Sequence, residues 1–321
     1  MTRPTSNWRR ALVVVLAVAI LPFALVGTRS ASGTSAAKTA AATSPAPTRA
    51  CRSAAASPAG VTTERFLSGG RPRQAVVDIP ITALGRPAPL LLAFHGSGGT
   101  GPFMRSYSGF AGITRTSGFV GVYPTASGPR WNLEESEDPT RADDVRFVRE
   151  LIDRLGARVC FDKTRVYVAG VSNGGGFAAL LGCRLSRRIA AVATVAGGYG
   201  DLPECHADRP VSVLEVHGTE DKVVPYDGRD GRGAARDFAG AWAARDGCPA
   251  DARERTVAFG VVRYDWWPCD AGSAVAHVKL VGGAHQWPGA TPPDPGPRSP
   301  FATAPEIWRF VSHHRLALPA H

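Results

Sequence analysis

Ser172 lies in RVYVAGVSNGGGFAAL (165–180), where Gly170-Val171-Ser172-Asn173-Gly174 matches G-x-S-x-G. The apolar run before it reads as a buried strand, and the run after it as a helix. Between such elements the two glycines permit a sharp turn that lifts the serine hydroxyl out of the sheet. A hydroxyl is a weak nucleophile until a base takes its proton, so the chain must also supply a histidine and an acid to orient it. For a nucleophile on a strand–turn–helix the partners follow in the order serine, acid, histidine. Asp221, in HGTEDKVVPY (217–226), follows one apolar run, and His285, in GGAHQWPG (282–289), follows a later one. Glu220 is the rival acid, but the DKVVPY run places the turn at Asp221. Among the eight histidines, His313, His314 and His321 fall in or after the last helix and are expected to face solvent. His277 begins a strand, His206 sits in a loop, and His95 and His217 end strands, where they would orient neighbouring loops.

Acyl transfer also needs donors where negative charge develops. The backbone N–H of Asn173 is one candidate. Ser97, in FHGSGGTG (94–101), is the other. No Gly-Lys-Ser/Thr follows these glycines, so they are not read as a phosphate cradle. No metal or other cofactor is expected.

Taken together, AFHGSGG, RVYVAGVSNGGG, HGTEDKVVPY and GGAHQWPG, in this order, resemble the secreted polyhydroxybutyrate depolymerase and feruloyl or acetylxylan esterase family of the α/β-hydrolase superfamily. The resemblance spans roughly residues 66–315. It implies Ser172 as nucleophile, Asp221 as acid and His285 as base. It also implies that His95 and Gly96 open the oxyanion loop and that His95, Trp287 and Pro288 bind substrate, the last two as a wall of the site. In RADDVRFV, Asp143 and Asp144 would be structural. No binding module with its own core follows the domain, which leans the expectation toward soluble or oligomeric esters. Trp131, Trp266, Trp267 and Trp287 fall in loop or edge contexts, where they either stack on a sugar or phenolic group or pack in the interior.

The elements that must position these residues are legible as alternating patterns. Continuous apolar runs at 89–96, 118–126, 165–170, 211–218 and 276–283 suit strands buried on both faces of a parallel sheet. The more alternating run at 74–80 suits an edge strand. Helical periodicity appears at 141–156, with Gly156 as a stop, and again at 174–185, 233–247 and 304–314. Strand–helix alternation with right-handed crossovers gives an α/β fold, a doubly wound, mostly parallel sheet.

A basic start and the apolar run from Ala11 to about Gly27 have the layout of an export signal or N-terminal membrane anchor, assigned to residues 1–29. Residues 30–60, rich in Ala, Ser, Thr and Pro, cannot bury enough surface to order themselves and read as a flexible stalk. The catalytic domain is then 61–321. Six cysteines in an exported chain make disulfides plausible, and the short loops favour Cys183–Cys205 and Cys248–Cys269, with Cys51 and Cys160 left to pair or stay free. The net charge is +10, but residues 1–60 carry seven basic side chains and no acidic one. The remainder shows no dense basic stripe, which argues against nucleic-acid binding. The expected protein is a monomeric, extracellular or envelope carboxylic ester hydrolase whose partner is an ester substrate, either a polysaccharide-linked acyl or feruloyl ester or a hydroxyalkanoate oligoester. The competing readings are an exported serine peptidase on the same scaffold and a surface binding protein without chemistry.

Overall fold

Ten strands form one sheet in the order β1-β2-β4-β3-β5-β6-β7-β10-β9-β8. The computed structural model describes residues 58–134, 142–200, 204–229, 233–292, 294 and 299–317. The leader and nearly all of the stalk lie outside these residues. The strands are β1 (Gly60–Ser68), β2 (Arg71–Ile79), β3 (Ala88–Phe94), β4 (Val120–Thr125), β5 (Phe161–Val171), β6 (Ala191–Val195), β7 (Ser212–Gly218), β8 (Arg253–Ala258), β9 (Val261–Trp266) and β10 (Val275–Leu280). The helices are α1 (Gly101–Tyr107), α2 (Phe110–Ser117), α3 (Asp144–Arg158), α4 (Asn173–Arg184), α5 (Ala235–Arg245) and α6 (Thr303–Val311).

The inner strands β4-β3-β5-β6-β7-β10 are parallel, and antiparallel pairs flank them on both sides. The expected α/β-hydrolase architecture is therefore present. Every residue of β3, β6 and β7 is buried, which is why those segments lack polar alternation. One buried cluster gathers Leu90, Leu92, Phe147, Leu151, Phe177 and Trp242. The other, on the opposite face, gathers Leu91, Phe110, Phe119, Trp287, Ile307 and Phe310.

Two expectations about elements are corrected. β2 is not an edge strand, because β1 pairs outside it over its whole length. Gly156 does not stop α3, which runs on to Arg158. Asp143 caps α3 by accepting from the Arg146 N–H at 2.7 Å. Asp144 is buried and paired with Arg73 at 2.5 Å, and it also accepts from the Asn132 N–H at 2.8 Å. The expectation of structural roles for these two aspartates matches this geometry. Cys183–Cys205 and Cys248–Cys269 are disulfides. Cys160 is disulfide-bonded as well, while Cys51 lies outside the described residues. No helix among the described residues is long and apolar enough to cross a membrane.

Candidate active site

Ser172 is the single residue between the end of β5 and the start of α4. Its φ of 56° and ψ of −124° are costly for a residue with a Cβ. The turn survives because its neighbours are glycines. A Cβ on Gly170 would lie 2.0 Å from the Gly174 carbonyl oxygen, and one on Gly174 would lie 2.4 Å from that of His95. The strained carbonyl of Ser172 is held by the N–H groups of Gly175, Gly176 and Gly198 at 2.9, 3.1 and 3.2 Å.

The loops that carry Asp221 and His285 leave adjacent parallel strands, β7 and β10, whose last residues Gly218 and Leu280 are in register. Thr219 N–H donates to Leu280 O at 2.9 Å and Glu220 N–H to Gly283 O at 2.8 Å. This close approach requires Gly218, where a Cβ would meet Gly283 O at 2.2 Å. His285 Nδ1 donates to Asp221 Oδ2 at 2.7 Å. Asp221 Oδ1 accepts from the N–H groups of Val223 and Val224, each at 2.8 Å. Burial opposes the Asp221 charge, but hydrogen bonds from His217, His285 and Val224 prevail and hold its carboxyl well below the usual range. Glu220 is exposed. The imidazole of His285 is partly open to solvent, while the Asp221 side chain is sealed.

Ser97 is exposed in the loop after β3, and a Cβ on Gly96 would lie 3.3 Å from Ser172 Cβ. The loop is therefore carried to the serine. Asn173 is the first residue of α4, so its N–H has no intrahelical acceptor. Its side chain clamps a second loop, with Oδ1 accepting from Trp131 N–H at 2.7 Å and Nδ2 donating to Trp131 O at 3.1 Å. Trp131 Nε1 donates in turn to His95 O at 2.9 Å.

His95, Trp287 and Pro288 were expected to meet substrate, and the structure places all three in the interior. His95 is 0% exposed, with Nε2 accepting from Ala126 N–H at 3.1 Å and Nδ1 donating to Gly96 O at 2.7 Å. Burial pushes its pKa down, so it is a neutral ring that shapes the loop. Trp287 is 1% exposed, packed edge-on against Phe110, with Nε1 bonded to Ser108 O at 3.0 Å. Pro288 is buried beside it. Trp131 and Trp266 are buried too, which leaves Trp267 as the exposed member of the four candidate tryptophans, at 69%. His313 faces solvent as expected, but His314 is half-buried against Phe310.

Gly96, Gly98 and Gly101 also have the spacing of a dinucleotide-binding turn. The donors such a turn would offer are already engaged. Gly98 N–H donates to Pro129 O at 2.7 Å, Gly101 N–H to Thr125 Oγ1 at 2.9 Å, and Phe103 N–H to Thr100 Oγ1 at 3.3 Å. Among the described residues no group of three or more His, Cys, Asp or Glu is arranged to hold a metal ion.

Sequence reasoning missed a buried polar row behind Asp221. Thr194 on β6, Glu215 on β7 and His277 on β10 are register partners. Tyr199 and His217 both bond Glu215 Oε1 at 3.0 Å, and His277 Nδ1 bonds Oε2 at 2.5 Å. The available signal was the alternation of Glu215 and His217 inside the otherwise apolar run 211–218.

No protein-family model matches the chain. It is 32% identical over 231 residues, 66% of its own length, to feruloyl esterase B of Piromyces equi. It is 29% identical over 232 residues, 70% of its length, to the bifunctional acetylxylan esterase/xylanase XynS20E of Neocallimastix patriciarum. The chain spans 42% and 31% of those two relatives. An acetyl xylan esterase from Aspergillus awamori shares the fold over 78% of this chain and 99% of its own, with a TM-score of 0.58 and 13% identity. The chain has the α/β-hydrolase fold. By sequence it is related to esterases of the feruloyl and acetylxylan type.

Proposed function

We propose that the protein is an exported serine ester hydrolase working through an acyl-enzyme. The observation that carries this reading is the 2.7 Å bond from His285 Nδ1 to Asp221 Oδ2, in a fold that presents Ser172 on a strained strand-to-helix turn. With Nδ1 committed to the acid, Nε2 of His285 is the atom that takes the Ser172 proton as Oγ attacks the ester carbonyl. Charge developing on the carbonyl oxygen is met by the N–H of Asn173, at the positive end of α4, and by that of Ser97. The protonated imidazole then gives its proton to the departing alcohol. Water repeats the sequence to free the acid and regenerate Ser172.

The names of the related proteins favour acyl or feruloyl esters carried on polysaccharide. Exposed Trp267 follows the end of β9 that pairs with the start of β10, at the opposite end of the sheet from the His285 loop, so it does not serve the acyl site. Export is supported by the basic-then-apolar leader and by the disulfides, which persist in oxidising compartments. The test is turnover of p-nitrophenyl acetate, methyl ferulate, acetylated xylan, hydroxybutyrate oligomers and a peptide panel. Hydrolysis of the first three is expected. Peptide cleavage without ester cleavage would replace the reading with a peptidase. A serine-directed phosphonate that fails to label Ser172 would remove the chemistry altogether.

A further inference from the structure

Given the esterase reading, on which this inference rests, we propose that His217 is a positioning residue that stays protonated at neutral pH, an imidazolium bridging the carboxylates of Glu215 and Asp221 and thereby setting the proton affinity of His285. The geometry permits little else. Nδ1 of His217 faces Glu215 Oε1 at 3.0 Å, while Nε2 faces Val224 O at 2.9 Å and Asp221 Oδ2 at 3.3 Å. All three are oxygens that only accept. A neutral ring has one N–H and one lone pair, so it would aim that lone pair at an oxygen in a site sealed from water. Both ring nitrogens therefore carry hydrogen.

The surrounding groups agree. Glu215 is fully buried and receives donors from Tyr199 at 3.0 Å, His217 at 3.0 Å and His277 at 2.5 Å, which fixes it as an anion. His277 bonds Glu215 through Nδ1 and the Tyr226 hydroxyl through Nε2, the latter at 2.7 Å. Tyr199 donates to Glu215 and shares its hydroxyl with Thr194 at 2.7 Å. The rings of Tyr199 and Tyr226 present their edges or faces to His217, with centroids 6.4 and 6.0 Å away. Two buried carboxylates thus flank His217. Burial lowers the proton affinity of His217, but the bonds to Asp221 and Glu215 outweigh it and raise its pKa to about 10.

The consequence reaches the base. His285 and His217 bond the same Asp221 oxygen, Oδ2. The fixed cation draws off part of the negative field that would otherwise favour the protonated, inactive form of His285. It also holds Oδ2 in line with Nδ1. Replacing His217 by a neutral residue should make Asp221 more strongly attracting and less well placed. His217 is not assigned contact with substrate.

The experiment compares wild type and His217→Gln in pH profiles of kcat and kcat/KM on a soluble ester. The expected result is an acid limb moved upward by about 1 pH unit. A kcat lowered on the order of tenfold, the loss of one charge-assisted hydrogen bond, should accompany it, with KM nearly unchanged. A residue that only fills space would lower activity without moving the limb, and that outcome overturns the proposal. Should the variant fail to fold, ¹⁵N spectra of histidine-labelled Ser172→Ala protein decide the matter. One buried imidazole with both nitrogens protonated through pH 8 is expected, and finding none overturns it. A wild-type protein that hydrolyses no ester would refute the esterase reading instead, and the spectra would still report the state of His217.

Discussion

At the scale of single residues, the proposed reaction divides its labour among Ser172, His285 and Asp221. Ser172→Ala should abolish acyl-enzyme formation, because no other group in the turn holds an attacking oxygen. Asp221→Asn should keep the fold but place an amide where His285 Nδ1 needs an acceptor, costing about 10⁴ in turnover on the scale of serine proteases altered in this way. Glu220→Gln, on an exposed side chain, should cost little. Turnover of a p-nitrophenyl ester, with circular dichroism to confirm folding, checks all three, and activity lost in Glu220→Gln but kept in Asp221→Asn would move the acid by one position. These residues were legible because each sits next to a pattern with a geometric meaning, an elbow or a loop after an apolar strand. His95, Trp287 and Pro288 were misplaced because adjacency in sequence to a catalytic loop says nothing about which way a side chain turns. Trp287 follows His285 by two positions, yet its ring goes inward to Phe110 and Ser108.

At the scale of elements, the inner strands with continuous apolar runs were readable, and the outer ones were not. β8 carries RERTVA and is exposed along nearly its whole length, so hydrophobic pattern gives no reason to expect a strand there. β1 is similar, with two buried positions. β6, AVATV, is inner and buried, but its five residues are too short and too alanine-rich to stand out. α1 and α2 are seven and eight residues long, below the length at which helical periodicity declares itself. The attachment of α3 to β2 could not be read at all. Arg73 and Asp144 are 71 positions apart, and their side chains are each about 1% exposed. Asp144→Ala leaves a buried guanidinium without its anion and should destabilise the fold by about 3–5 kcal/mol. Chemical denaturation measures this, and a loss below about 1 kcal/mol would show that water reaches the pair after all.

At the scale of the whole molecule, the buried charges link stability to pH. Glu215 and Asp221 have folded pKa values depressed by their donors despite burial. Their contribution is present above the ordinary carboxylate range and is lost as pH falls through the depressed folded values. His217 has the opposite sign. Raised to about 10, it contributes fully below about pH 6.5, the ordinary histidine value, and that contribution is lost as pH rises through about 10. The denaturation midpoint of wild type should therefore fall steadily between about pH 7 and 10, and in His217→Gln this alkaline slope should flatten. An identical slope in the two proteins would mean that another group governs the alkaline side.

The sheet is open, and an open sheet ends in two rows of backbone groups that a second chain could adopt. On this protein both rows are fenced by charge. β1 carries exposed Arg65, and β8 carries Arg253, Glu254 and Arg255, the last paired with Asp265 at 3.0 Å. A neighbouring molecule seeking to extend the sheet must strip water from these groups before it gains a single backbone bond. The polar composition that hides β1 and β8 from pattern reading thus acts as a guard against fibrous stacking. Replacing Arg253 and Arg255 by valine should remove that guard, giving light scattering that grows with concentration where wild type stays clear, and a variant that stays clear would show that some other feature keeps the edge apart.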